Sequence, residues 1–363
     1  MKTIASAADE QPFSLLAFRW LPLACLAVPT VIAAAIGPRW TEHIAPLPWI
    51  ASLVFVGLPH GATDFAVSRT AWHGWPLAGL WLGYVVSIVI VAAGFIAAPA
   101  VTLALFVVLS AWHFGLADVD AGPPVSHVRA LAALARGCAV LAPPLWFWPS
   151  ASADVATSLM TLAAANGPAI SSYQALALGS ILGTVGVFAI GWETLGTRPR
   201  PAGYLPRLLG ETGVIAALGC LTHPLFSVGL VFLVWHGWRQ MEPLAHQITG
   251  VTPRCWRTLA TAIVRIHAAA SPLLVPTLAA IAAVWWTRSP THSLQDLAVL
   301  SIGCYLVVTP AHELLGELHA SGMADTPGIK RVRRSPTARG ATAWKRRRWH
   351  MPAQRARASR PAR

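Results

Sequence analysis

Apolar residues run along this chain in blocks of about 20, separated by short polar or proline-bearing stretches, a length that matches the hydrocarbon core of a bilayer. Ten blocks are predicted as spanning helices: Ser14–Gly37, Pro48–Val67, Pro76–Ala98, Ala100–Ala117, Val128–Trp148, Gln174–Trp192, Leu205–Thr222, Leu225–Trp238, Thr258–Trp286 and Leu294–Leu318. The seventh and eighth are short. Ala98-Pro99-Ala100 and Thr222-His223-Pro224 read as tight turns, because proline ends one helix and starts the next. The pattern predicts an all-α fold, a polytopic integral membrane bundle of about 8–10 transmembrane helices.

Composition agrees and removes one class of function. Of 363 residues, 55% are hydrophobic and 11% charged, whereas a soluble domain carries about 25% charged residues. The net charge of +13 resembles a nucleic-acid signal until it is located. Lys330 to Arg363 holds thirteen Lys/Arg and no Asp/Glu, which leaves fourteen of each sign elsewhere. The basicity belongs to one tail, and no nucleic-acid partner is expected. Three parts follow: residues 1–13 as a cytoplasmic N-terminus, 14–320 as the membrane domain, and 321–363 as a disordered basic tail suited to anionic lipid. The first block lacks an obvious cleavage site and reads as a retained span. Five scattered cysteines read as small buried hydrophobes. Tryptophans at span ends form the aromatic belt of a membrane protein.

Charge also sets direction. The stretch Ser150–Tyr173 has no Lys or Arg, while Arg198, Arg200, Arg207, Arg254, Arg257 and the tail crowd other connections. The positive-inside rule places the 150–173 loop outside and the tail in the cytoplasm. Counting back puts the N-terminus in the cytoplasm too. It runs the second, fourth, eighth and tenth spans inward, so that His60, His113, His236 and His312 fall at one depth.

These four histidines carry the candidate chemistry. Each ends an apolar segment beside glycine or proline, and ionisable side chains at that depth are costly unless functional. Neutral imidazole binds iron, copper or zinc without adding charge to an apolar interior. Asp64 and Asp118 fit as hydrogen-bond acceptors behind such ligands. His60 and Asp64, at i and i+4, share a helix face, which allows an orienting hydrogen bond. His113 and Asp118, at i and i+5, do not, so the helix must break near Gly115 or Asp118 must serve another partner. His319 lies about 10.5 Å beyond His312 along a helix, and the deeper His312 is preferred. A haem carrier would need histidine pairs at two depths, and a proton-coupled transporter inverted halves. Neither pattern is visible.

The residues resemble a known family. Gly57-Leu58-Pro59-His60-Gly61-x-x-Asp64, Ser110-Ala111-Trp112-His113-Phe114-Gly115-x-x-Asp118, Trp235-His236-Gly237-Trp238-Arg239 and Thr309-Pro310-Ala311-His312 are similar, in order, to motifs of the Brp/Blh family. These are integral-membrane β-carotene 15,15′-dioxygenases associated with microbial rhodopsins. The resemblance covers roughly residues 15 to 320. It implies a helical enzyme of the cell (inner or plasma) membrane that holds non-haem Fe(II) through His60, His113 and His236 and splits β-carotene with O2 into two retinals. Membrane lipids and a rhodopsin are the implied partners. The family carries a second histidine where this chain has Gln240. Three histidines then suffice with Gln240 or water, or His312 closes the shell, or the reaction is lost. Trp112, Phe114, Trp235 and Trp238 are the candidate walls for an apolar polyene entering from the lipid.

Overall fold

The computed structural model describes residues 12–118, 127–162, 169–195, 203–289 and 291–320. The chain divides into a unit Met1–Ile329 and a second unit Lys330–Arg363, and the second, with the whole basic tail from 321, lies outside the described residues. So do residues 1–11.

Among the described residues the regular structure is helical, and no strand occurs. The helices are α1 (Pro12–Leu15), α2 (Leu21–Ile36), α3 (Arg39–Ile44), α4 (Leu47–Phe55), α5 (Gly57–Ala62), α6 (Asp64–Ala71), α7 (Trp75–Ala97) and α8 (Pro99–Asp118). There follow α9 (His127–Phe147), α10 (Pro149–Leu162), α11 (Ser172–Leu195), α12 (Tyr204–Leu221), α13 (Pro224–Leu230), α14 (Trp238–Thr249), α15 (Trp256–Arg288) and α16 (Leu294–Ala320). π-Helical turns join α1 to α2 at Leu16–Trp20 and α13 to α14 at Val231–Gly237. Among the described residues, eight helices or helix runs are long and apolar enough to cross a membrane. The seventh and eighth expected spans are helical but not among these. The first of them, α12, carries Arg207 and Glu211.

Three expectations change. The second span is broken: Val56, at φ −141° and ψ −58°, separates α4 from α5, and α5 stops at Thr63. The stretch expected as an outer loop from Ser150 begins instead with α10, whose Leu159 and Met160 are buried against Val299 and Leu306 of α16. A proline at its start and an alanine-rich sequence suit a helix there. The eighth helix does not end at Trp238 but runs on to Thr249, where Gly250 caps it at φ 74°.

Close backbone approach holds α8 on α9. A Cβ on Gly115 would overlap the Ala133 carbonyl, and one on Gly137 would overlap that of Ala111. Small residues at crossings are how helices associate in lipid, where apolar burial alone gives no preference. Gly115 thus serves packing, and α8 stays unbroken through it.

Candidate functional site

His60 reaches the interior because of the break in the second span. At Gly57 a Cβ would overlap Ser52 Oγ, the Phe232 ring and the Tyr305 hydroxyl, so only glycine fits this close approach. The short α5 then aims His60 inward. His113 lies five residues before Asp118, the end of α8, and His312 follows Pro310 in α16. His236 sits in the π-helical turn, which adds a residue to the helical repeat and re-aims what it carries. Its ring stacks on Phe232 at 5.6 Å and 12°, and Phe232 stacks on Trp49 at 5.6 Å.

The four rings form a closed circuit. Centroids are 6.1 Å apart for His60–His236, 4.7 Å for His236–His113, 5.6 Å for His113–His312 and 5.0 Å for His312–His60. His113 Nε2 and His236 Nε2 face each other at 3.2 Å. On the outer side, His113 Nδ1 meets Glu313 Oε2 at 2.6 Å, and His312 Nδ1 meets Asp64 Oδ2 at 2.7 Å. Tyr84 OH also donates to Asp64 Oδ2, at 3.4 Å. The Nδ1 atoms of His60 and His236 are buried with no hydrogen-bond partner among the described residues. No group of three or more His, Cys, Asp or Glu there is arranged, as it stands, to hold a metal ion.

The i, i+4 spacing of His60 and Asp64 pointed to a bond between them, and the break at Thr63 prevents it: Asp64 begins a new helix and serves His312 instead. The side chain of Asp118 lies outside the described residues. The partner of His113 is Glu313, which the sequence reading did not single out. Its signal was its place beside His312, since neighbours on a helix point about 100° apart and one helix can serve two of the rings. Tyr84 and Phe232, in featureless apolar runs, gave no signal.

Gln240 lines a polar cavity with Arg19, Arg239 and Glu242. Of the four candidate wall residues, Phe114 borders an apolar cavity of about 320 Å3, with Trp49, Ser110, Leu141, Leu225 and Ile302 among its other walls. The Phe114 ring is 5.1 Å from that of His236. Trp238 donates to the Ala17 carbonyl at 2.8 Å and fastens the first span, while Trp235 lies 4.4 Å beneath the Arg239 guanidinium. Trp112 is half-buried on α8.

Fold and site together define a polytopic helical membrane protein built around a buried histidine cluster with carboxylates behind two of its rings. A family model described as beta-carotene 15,15'-dioxygenase matches residues 51–319, a range that holds all four histidines. The chain belongs to this family and is a dioxygenase-like enzyme of that type. It is 26% identical over 325 residues to a protein of Halobacterium salinarum named "Probable beta-carotene 15,15'-dioxygenase Blh", a match covering 82% of this chain and 89% of the relative. It is 31% identical over 150 residues to "Beta-carotene 15,15'-dioxygenase" of Uncultured marine bacterium 66A03, covering 40% of this chain and 52% of that protein. No solved structure matches.

Proposed function

We propose that this chain cleaves the central 15,15′ double bond of β-carotene, or of a related carotenoid, with O2 to give retinal, at a non-haem Fe(II) held by His60, His113, His236 and His312. The observation that carries this reading is the circuit of four imidazoles beside the apolar cavity that Phe114 borders.

The donors suit an ion. Four neutral imidazoles bring no charge of their own to a low-dielectric interior. His113 Nε2 and His236 Nε2, 3.2 Å apart, already bring two such donors together. His60 and His312, whose rings close the circuit, would supply the other two donors. Zinc has no redox chemistry for O2, imidazole accepts copper as well as iron, and the family resemblance favours iron. When bound, the iron supplies the activation of O2.

The chain's own residues do the rest. Glu313 and Asp64 accept the Nδ1 protons of His113 and His312, which leaves each Nε2 lone pair facing the centre. Phe232, Phe114 and Trp49 wall the rings and keep water away. The apolar cavity holds the polyene, which enters sideways from lipid, and fixes which double bond meets the centre. The reaction balances without a reductant: one C=C bond and O2 are consumed, two C=O bonds form, and each aldehyde keeps one oxygen atom. We place the protein in the inner or plasma membrane with both termini in the cytoplasm, its product serving a microbial rhodopsin.

The test is retinal formation in β-carotene-producing cells expressing the chain beside a His60→Ala control. Retinal from the wild type alone supports cleavage at this site. Persistent carotene with the protein inserted in the membrane supports a second reading, a divergent or inactive member. Gln240, in place of the family's second histidine, is the observation that keeps it.

A further inference from the structure

The polar cavity that takes in Gln240 measures about 770 Å3, and the proposed cleavage leaves it without a role. It lies at one end of the bundle. Its walls come from Ser14 and Arg19 at the start of the first span, Ala117 at the end of α8, Arg207 at the start of α12, the outer part of α14, and the turn Gly250–Arg254.

Its charge is one-sided. Arg19, Arg207, Arg239 and Arg254 line it, with His246, and among the described residues the acids in reach are Glu242 and Glu211. Glu211 is shared: Oε1 accepts from Arg19 Nε at 3.0 Å and from Arg207 Nε at 3.2 Å. Each arginine spends its Nε there, so the forked Nη groups of both are left for another acceptor among the described residues. Glu242 accepts from Ser14 Oγ at 2.6 Å. Arg254 makes only a backbone bond, to Thr258 Oγ1. Arg239 stacks over Trp235. Asp118, whose side chain lies outside the described residues, follows Ala117.

The guanidinium groups of Arg19, Arg207 and Arg254 converge on a cavity that has two carboxylates nearby among the described residues, and they repel one another unless an anion joins them. Arginine forks match the oxygens of a phosphate in pairs, which a carboxylate shared through Nε does not exhaust. Leu15, Phe18 and Val251 add an apolar margin to the same cavity. We propose that this cavity binds a phosphate-bearing anion, the headgroup of an anionic phospholipid or free phosphate. The cavity also lies one helical turn beyond His113 and His236, at Ala117 and Gln240. An anion bound there pins α1, α8, α12 and α14 together behind the histidine cluster.

The experiment uses the full chain, delipidated in detergent, and needs no carotene. Native mass spectrometry counts bound phosphatidylglycerol against phosphatidylcholine, and thermal unfolding is followed with each lipid and with millimolar inorganic phosphate. Arg254→Gln and Arg19→Gln are compared with Arg288→Gln, a charge loss at an arginine outside the cavity. The expected result is one tightly retained phosphatidylglycerol, little phosphatidylcholine, and binding at least tenfold weaker in Arg254→Gln and Arg19→Gln but unchanged in Arg288→Gln. Protection by inorganic phosphate that both cavity variants lose identifies free phosphate as the ligand. Arg19→Gln breaks an ion pair and so can disturb the fold, whereas Arg254→Gln removes no side-chain contact among the described residues. Equal binding by Arg254→Gln and the wild type, or equal loss in Arg288→Gln, overturns the proposal.

Discussion

The histidine cluster has two unlike halves. His113 and His312 are each backed by a carboxylate on Nδ1, at 2.6 and 2.7 Å, and both carboxylates arrive from distant parts of the chain. His60 and His236 have no such partner among the described residues and are held by shape: His60 by the broken helix around Gly57, His236 by a π-helical turn and the face of Phe232. A backed imidazole has its tautomer fixed before anything binds. An unbacked one has its position fixed and its protonated nitrogen free to choose. The cluster therefore combines two rings of preset tautomer with two that can adapt.

The largest expected effect treats the halves alike. Replacing His60, His113, His236 or His312 with alanine removes a donor in either half, and retinal formation should fall by about 100-fold or more, judged from what weaker perturbations behind a metal ligand already cost. Retinal extracted from carotene-accumulating cells, with membrane levels of the protein measured in parallel, checks this.

The next effect separates the halves. Glu313→Gln and Asp64→Asn leave the rings in place but remove the anion behind them, and loss of such a partner typically lowers metal affinity or activity about 10–100-fold. Iron titration of the purified protein should show weaker binding in both variants, with activity returning at excess iron. Loss of activity with unchanged iron affinity would mean that the carboxylates serve some other step.

A blocked cavity should act on the substrate and spare the metal. Val107→Trp fills space along the apolar cavity away from the rings, and turnover should drop about tenfold, the scale on which a pocket discriminates by shape. Iron content measured on the same preparation should not change.

The smallest effects lie outside both halves. Gln240→His places an imidazole in the polar cavity, and iron affinity should shift by no more than about twofold, as for substitutions away from a site. A marked gain in affinity would instead put position 240 in the shell. Truncation before Lys330 should leave insertion and retinal formation within about twofold of the full chain by the same reasoning.

Much of this was legible along the chain. Blocks of apolar residues specify helices and membrane spans because the bilayer dictates both length and polarity. The sites of His60, His113, His236 and His312 stood out because an ionisable group deep in such a block is costly. What the chain does not display is where helices break and which side chains meet across them. Asp64 looked like the partner of His60 by spacing and went to His312, because Val56 and Thr63 interrupt the helix that the spacing presumed. Glu313 looked like a neighbour of His312 and serves His113, 200 residues away. The stretch from Ser150 was expected as an outer loop and still begins with α10, because α16 offers it an apolar face. Local sequence determined the helical elements through the energetics of lipid. Only the tertiary structure decided the pairing of rings with carboxylates, since such contacts depend on breaks and crossings set by close backbone approach at glycines such as Gly57 and Gly115.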